Sequence, residues 1–205
     1  MNYLEMLVQR YPELSDTLDC LEVAVGAILF TNTYGGKILL VGNGGSAADC
    51  EHISGELLKG FVESRFVDGE DLEALSSELG DSAKKLQRGL CAIPLPSLSS
   101  VFTAYANDVD PSLVFAQLVY SMGARGDTLI ALSTSGNSVN VVNAARAARA
   151  LGITVISLTG EGGGQLAALS DILIEAPATE TYRVQEYHLP IYHALCAEVE
   201  RRLFK

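Results

Sequence analysis

The sequence has no tryptophan, only three histidines and four cysteines, and 14 lysine and arginine residues against 25 aspartates and glutamates. Each shortage narrows what the chain can do. A formal net charge of −11 leaves no cationic excess to attract polyphosphate chains or anionic lipid, so neither nucleic acid nor a membrane surface is an expected partner. Cys20, Cys50, Cys91 and Cys196 are widely scattered and form no C-x-x-C pair, which reads as reduced thiols of a cytoplasmic protein. No apolar run reaches the roughly 18 to 20 residues of a membrane span. The opening Met1-Asn2-Tyr3-Leu4-Glu5 lacks the basic-then-apolar pattern of a signal peptide. No G-x-x-x-x-G-K-[ST] run occurs, which excludes a P-loop. What is present is a chain of 205 residues, 48% of them apolar, enough for one sizeable domain with a buried core.

Residues 1–11 and 15–32 carry apolar side chains at helical spacing, with Pro12 as a break and Ser15 placed to cap the second helix. These form an N-terminal helical section, residues 1–34. Short apolar runs at 37–41, 91–95, 128–132, 154–158 and 171–174 look buried on both faces, and helical stretches separate most of them. The pattern predicts an α/β fold: a flavodoxin-like, doubly wound, five-stranded parallel sheet whose ligands sit at the carboxyl ends of the strands. Between Phe61 and Arg88 the composition turns acidic and helix-forming, and residues 62–88 read as an inserted helical hairpin. Residues 181–204 form a last helical pattern in which Pro190 is expected to kink or start the helix.

Two loops at strand ends carry the chemistry. Ser133-Thr134-Ser135-Gly136-Asn137-Ser138 follows a strand and precedes a helix, so hydroxyls and first-turn N–H groups can converge on one anion without a lysine or arginine. The bland reading is a polar turn in which Ser138 caps the helix. Gly42-Asn43-Gly44-Gly45-Ser46-Ala47 fits a dinucleotide fingerprint superficially, but the next strand ends in Pro94-Leu95-Pro96-Ser97 with no acid for a ribose hydroxyl. Asn43 and the exposed backbone there suit a polyhydroxylated ligand instead. The helix opened by that loop carries His52 and Glu56 on one face, four residues apart, able to share a metal or leave the carboxylate poised as a base. The other histidines, His188 and His193, lie in the last helix beside Gln185 and Glu186. Gln185 and His193 are about 12 Å apart along an ideal helix, so using both in one small site calls for a bend at Pro190 or a neighbouring subunit. Asn107-Asp108 forms a further polar pair, readable also as a helix end before a turn at Asp110-Pro111.

Taken together, the motif from Gly42 to Asp49 with His52 and Glu56, then Asn107-Asp108, Ser133 to Ser138, and Arg183-Val184-Gln185-Glu186-Tyr187-His188 resemble the sugar isomerase (SIS) domain family, and within it the phosphoheptose isomerases. The resemblance covers nearly the whole chain, with the motifs in the family's order. It implies a single SIS domain over residues 1–205 and an aldose-ketose isomerase acting through an enediol on a sugar phosphate, sedoheptulose 7-phosphate and D-glycero-D-manno-heptose 7-phosphate being the pair interconverted. By the same resemblance, Ser133, Thr134, Ser135 and Ser138 hold the phosphate, while Asn43, Gly44, Gly45, Ser46, Asn107, Asp108 and Gln185 line the sugar. Glu56 and His193 are implied as catalytic base and acid. His52, Glu56, Gln185 and His193 are implied as zinc ligands in a homotetramer with active sites at subunit interfaces. The chain departs from the family pattern at Tyr182, where a small polar residue is usual, and at Lys59-Gly60, where Gly-Arg is usual. A non-catalytic relative, either a phosphosugar-binding regulator or a replication-initiator adaptor, is the alternative, and the presence of His193 favours the enzyme.

Overall fold

The structure, a computed structural model, describes residues 2–204. Helix α1 (Tyr3–Arg10) starts with a capping box in which Asn2 Oδ1 accepts from Glu5 N at 2.7 Å and Glu5 Oε2 accepts from Asn2 N at 3.0 Å. Pro12–Thr17 is a 3-10 turn that feeds α2 (Leu18–Thr33), so Ser15 lies inside that turn and does not cap the helix. Proline stands at the first position of that turn, where its missing N–H would have had no helical partner in any case.

Five strands follow in alternation with helices: β1 (Ile38–Val41), α3 (Gly45–Leu58), α4 (Gly69–Leu79), β2 (Ala92–Pro94), α5 (Ser99–Asp108), α6 (Val114–Met122), β3 (Thr128–Leu132), α7 (Val139–Ala150), β4 (Thr154–Thr159), α8 (Gly164–Ala167), β5 (Ile172–Glu175) and α9 (Thr181–Phe204). All pairings are parallel, in the order β2-β1-β3-β4-β5. This is the flavodoxin-like order expected from the apolar runs, and the chain reverses its direction of winding between β1 and β3.

The strand residues alternate between two apolar layers, as a period of two requires. Ile38, Leu40, Ile130, Leu132, Ile156 and Leu158 pack under α1, α2, α3 and α9. Leu39, Val41, Leu129, Ala131 and Val155 pack under α6 and α7. Burial on both faces explains why these strands read as continuous apolar runs.

The 62–88 segment is one helix, α4, followed by a 3-10 turn at Gly80–Lys85, rather than a pair of helices. An isolated bridge between Phe66 and Gln87 closes its base. No α4 residue is buried, so its leucines cover the adjoining 3-10 turn instead of the main core. Helix α9 starts at Thr181, well before Pro190, which sits in its interior and leaves the carbonyl of Glu186 without its usual helical donor.

Candidate active site

The two polar loops meet at the carboxyl ends of β1 and β3, where the winding reverses. Asn43 and Asn140 join them through reciprocal amide bonds, Asn43 Nδ2 to Asn140 Oδ1 at 2.8 Å and Asn140 Nδ2 to Asn43 Oδ1 at 2.9 Å. Asn140 was not singled out by sequence reasoning; its position in the first turn of α7, just past the hydroxyl run, was the available signal.

In the 133–138 loop, Ser133 Oγ donates to Ser138 Oγ at 3.1 Å and Ser135 Oγ accepts from Asn137 N at 3.2 Å. Ser138 stands at the N-cap position of α7, its carbonyl accepting from Val142 N, and among the described residues its side chain makes no capping bond to the helix. Gly136 has φ +64, and a Cβ there would lie 1.9 Å from Gly163 O. Only glycine permits both that dihedral and the close approach of the β4–α8 loop.

The second loop opens α3 with Gly44 at φ +56 and Gly45 at the first helical position. A Cβ on Gly45 would lie 2.6 Å from Gln185 Nε2, so the absent side chain is what lets α9 lay its amide over the start of α3. Seven residues further along α3, His52 Nε2 lies 3.3 Å from His193 Nε2 and 3.1 Å from Glu56 Oε1. Gln185 meets the beginning of α3 and His193 its later turns. The two helices therefore run side by side in one direction, with Gln185 and His193 meeting α3 about two turns apart.

The donor atoms of His52, Glu56 and His193 all lie within 4.8 Å of one another. Glu56 is largely buried, and its Oε2 has no hydrogen-bond partner among the described residues, with Lys59 Nζ at 3.6 Å. Two imidazole nitrogens and a carboxylate with an unsatisfied oxygen fit a divalent transition metal. Burial, and then the neighbouring His52, hold the His193 imidazole below its ordinary value, while Glu56 opposes them. His193 is thus favoured as a neutral group, able to ligate or to shuttle a proton. Asn107 and Asp108 occupy the exposed end of α5, where Asn107 Nδ2 donates to Asp108 Oδ1 at 2.8 Å; Asp110 then caps the next turn by accepting from Ser112 N at 2.7 Å. The helix-end reading describes that pair as it stands in this chain. Two further residues adjoin the cluster, Asp49 at the end of the Gly42–Asp49 motif and Tyr192, to which no sequence motif points. Tyr192 Oη lies 2.9 Å from His52 Nδ1 and 3.2 Å from Asp49 Oδ1, and Asp49 stands three residues before His52, one turn away on the same face of α3.

A flavodoxin-order sheet with a hydroxyl-lined loop at its switch point is the frame of a phosphosugar-binding domain, and a family model described as SIS domain matches residues 91–160. Phosphoheptose isomerase of Mycobacterium tuberculosis is 42% identical over 170 residues, 83% of this chain and 76% of that protein, and that of Rhodospirillum rubrum is 37% identical over 190 residues, 93% and 89% respectively. The solved phosphoheptose isomerase of Neisseria gonorrhoeae superposes with a TM-score of 0.77 at 31% identity, covering 96% of this chain and 94% of that one. The chain belongs to the phosphoheptose isomerase family of SIS domain enzymes, which are aldose-ketose isomerases.

Proposed function

We propose that the protein interconverts sedoheptulose 7-phosphate and D-glycero-D-manno-heptose 7-phosphate through an enediol, with Glu56 as base and His193 as acid. The observation that carries this reading is the cluster of Glu56, His52 and His193 on α3 and α9, α3 being opened by the glycine loop that Asn43 and Asn140 tie to the hydroxyl loop. Isomerisation moves a proton between C1 and C2, which needs a carboxylate at the carbon and a proton donor at the oxygens. Glu56 supplies the first, on a helix that fixes its direction. His193 supplies the second. The hydroxyls of Ser133, Thr134, Ser135 and Ser138 and the free N–H groups of the first turn of α7 bind the phosphate, and that remote grip orients the sugar over Glu56. Asn43, Gly44, Gly45, Ser46, Asn107, Asp108 and Gln185 complete the contacts to the sugar.

His52, Glu56 and His193 are the residues that hold zinc in this proposal, with Gln185, whose own amide lies against Gly45, supplied as the fourth ligand across a subunit interface. When bound, zinc polarises the carbonyl and stabilises charge on the enediol oxygens. The same proposal takes one SIS domain over residues 1–205 with residues 62–88 as an appended segment, and a homotetramer with active sites at its interfaces. Exposed Val23, Phe30 and Tyr34 on and just after α2 support subunit contacts. Four free cysteines suit a cytoplasmic setting, and among the described residues no helix is long and apolar enough to cross a membrane. A non-catalytic regulator is not favoured, because it has no use for a largely buried carboxylate clustered with two imidazoles.

The test is incubation with sedoheptulose 7-phosphate in deuterated water. Deuterium at C1 or C2, with aldose formed, supports the reading. Unlabelled, unconverted ketose at high enzyme concentration with zinc present overturns it.

A further inference from the structure

The hydrogen bonds around His52 point to a role for two residues outside the two polar loops, and this inference rests on the reading of His52 as a metal ligand. Tyr192 is almost wholly buried, yet its hydroxyl is flanked by two polar atoms, His52 Nδ1 at 2.9 Å and Asp49 Oδ1 at 3.2 Å. A phenol has one proton to give, and a carboxylate can only accept. With Asp49 accepting that proton, the phenol oxygen is left to accept from His52, which places a hydrogen on Nδ1. His52 Nε2 is the atom that faces Glu56 and His193. The polarity of the chain therefore leaves the Nε2 lone pair as the only free one on the ring, directed at the other two donors.

We propose that Asp49 and Tyr192 form a positioning relay, in which the carboxylate orients the phenol and the phenol fixes the tautomer and ring plane of His52 for metal binding. Metal-bound histidines commonly donate their second ring nitrogen to a carboxylate, which fixes the ring and raises its basicity. Here a tyrosine from α9 is interposed, so the relay also ties α9 to α3 at the level of the cluster. Asp49 Oδ2 has no hydrogen-bond partner among the described residues, which leaves Oδ1 and its bond to Tyr192 as the carboxylate's one polar tie.

The test uses the full-length protein and zinc itself. Zinc affinity is measured by competition with a chromophoric chelator for the wild type, Tyr192→Phe, Asp49→Asn and the double variant, with folding checked by circular dichroism and thermal melting. Tyr192→Phe keeps the buried ring and is expected to weaken zinc binding roughly 10- to 100-fold. Asp49→Asn is expected to add little on top of it, because Asp49 acts through the phenol. Unchanged zinc affinity in a folded Tyr192→Phe protein overturns the relay, as do fully additive effects of the two substitutions. Independently of any variant, nitrogen-15 spectra of the zinc-loaded wild type, with only three histidines to assign, are expected to show an exchange-protected proton on Nδ1 of His52. A freely exchanging Nδ1 proton, or coordination through Nδ1, overturns the relay. A wild type that binds no zinc overturns the metal reading, and the relay with it. Zinc bound normally by a folded Tyr192→Phe protein removes the relay alone.

Discussion

Arg65 Nε donates to Glu200 Oε1 at 2.6 Å, and both side chains are wholly buried. The same guanidinium donates to the carbonyls of Leu57 at 2.8 Å and Glu56 at 3.0 Å, so the helix bearing the proposed base ends on Arg65. Glu200 in turn accepts from the backbone N–H groups of Phe61 and Val62 at 2.8 Å and Glu63 at 3.0 Å. Burial alone would raise the Glu200 carboxyl, but these donors together hold it below its ordinary value.

Arg65→Met is expected to destabilise the protein by about 3–5 kcal/mol, the cost of leaving a buried charge without its partner. Adding Glu200→Leu should not restore stability, because three backbone donors then lose their acceptor. Urea unfolding of the single and double variants checks both statements. A double variant as stable as the wild type would show that the pair is merely tolerated.

Glu56→Gln is expected to abolish isomerisation while phosphosugar binding survives, since the amide keeps the shape of the side chain but cannot take the carbon proton. Deuterium exchange at C1 and C2 and a direct binding titration separate the two effects. Retained exchange would remove Glu56 as base.

Ser135→Ala should raise KM about 10- to 100-fold with a smaller change in kcat, as expected when a hydrogen bond to a charged group worth about 1.5–3 kcal/mol is lost from remote binding. Steady-state kinetics decide it; an unchanged KM would place the phosphate elsewhere.

Burial pushes the His188 imidazole from its ordinary 6.5 down to about 4, against the bond from its ring to the Thr159 carbonyl at 3.3 Å. The unfolded chain takes up a proton near 6.5 and the folded chain does not until about 4, so stability is full above 6.5 and falls as pH drops through that window. The gap corresponds to about 3 kcal/mol. Urea midpoints at pH 7 and pH 5 should therefore differ for the wild type and much less for His188→Gln. Buried Glu198 belongs to a lower window. Its burial is outweighed by Arg201, Arg202 and the Tyr3 N–H, which hold it at about 2, so the stability it contributes is present above 4.5 and lost below.

Strands buried on both faces announce themselves as unbroken apolar runs, which is why the sheet and its order were legible from Ile38, Ile130 and Ile156 and their neighbours. His52 and Glu56 were legible because a helix puts residues four apart on one face. Asp49, Tyr192, Arg65 and Asn140 were not, because their roles lie in contacts between distant segments that no local period encodes. Ser15 misled because its type suits a cap, whereas the chain makes a 3-10 turn across that position. Pro190 does not start α9: packing against α1, α2 and α3 carries the helix through it from Thr181.

No residue of α4 is buried, the helix covers only the adjoining 3-10 turn, and the base of the segment is closed at Phe66 and Gln87 just beyond Arg65. That geometry makes the stretch from Val67 to Leu86 a natural grafting port: another peptide with the same end-to-end span, or a reporter tag, can replace it while the Arg65 anchor keeps α3 in place.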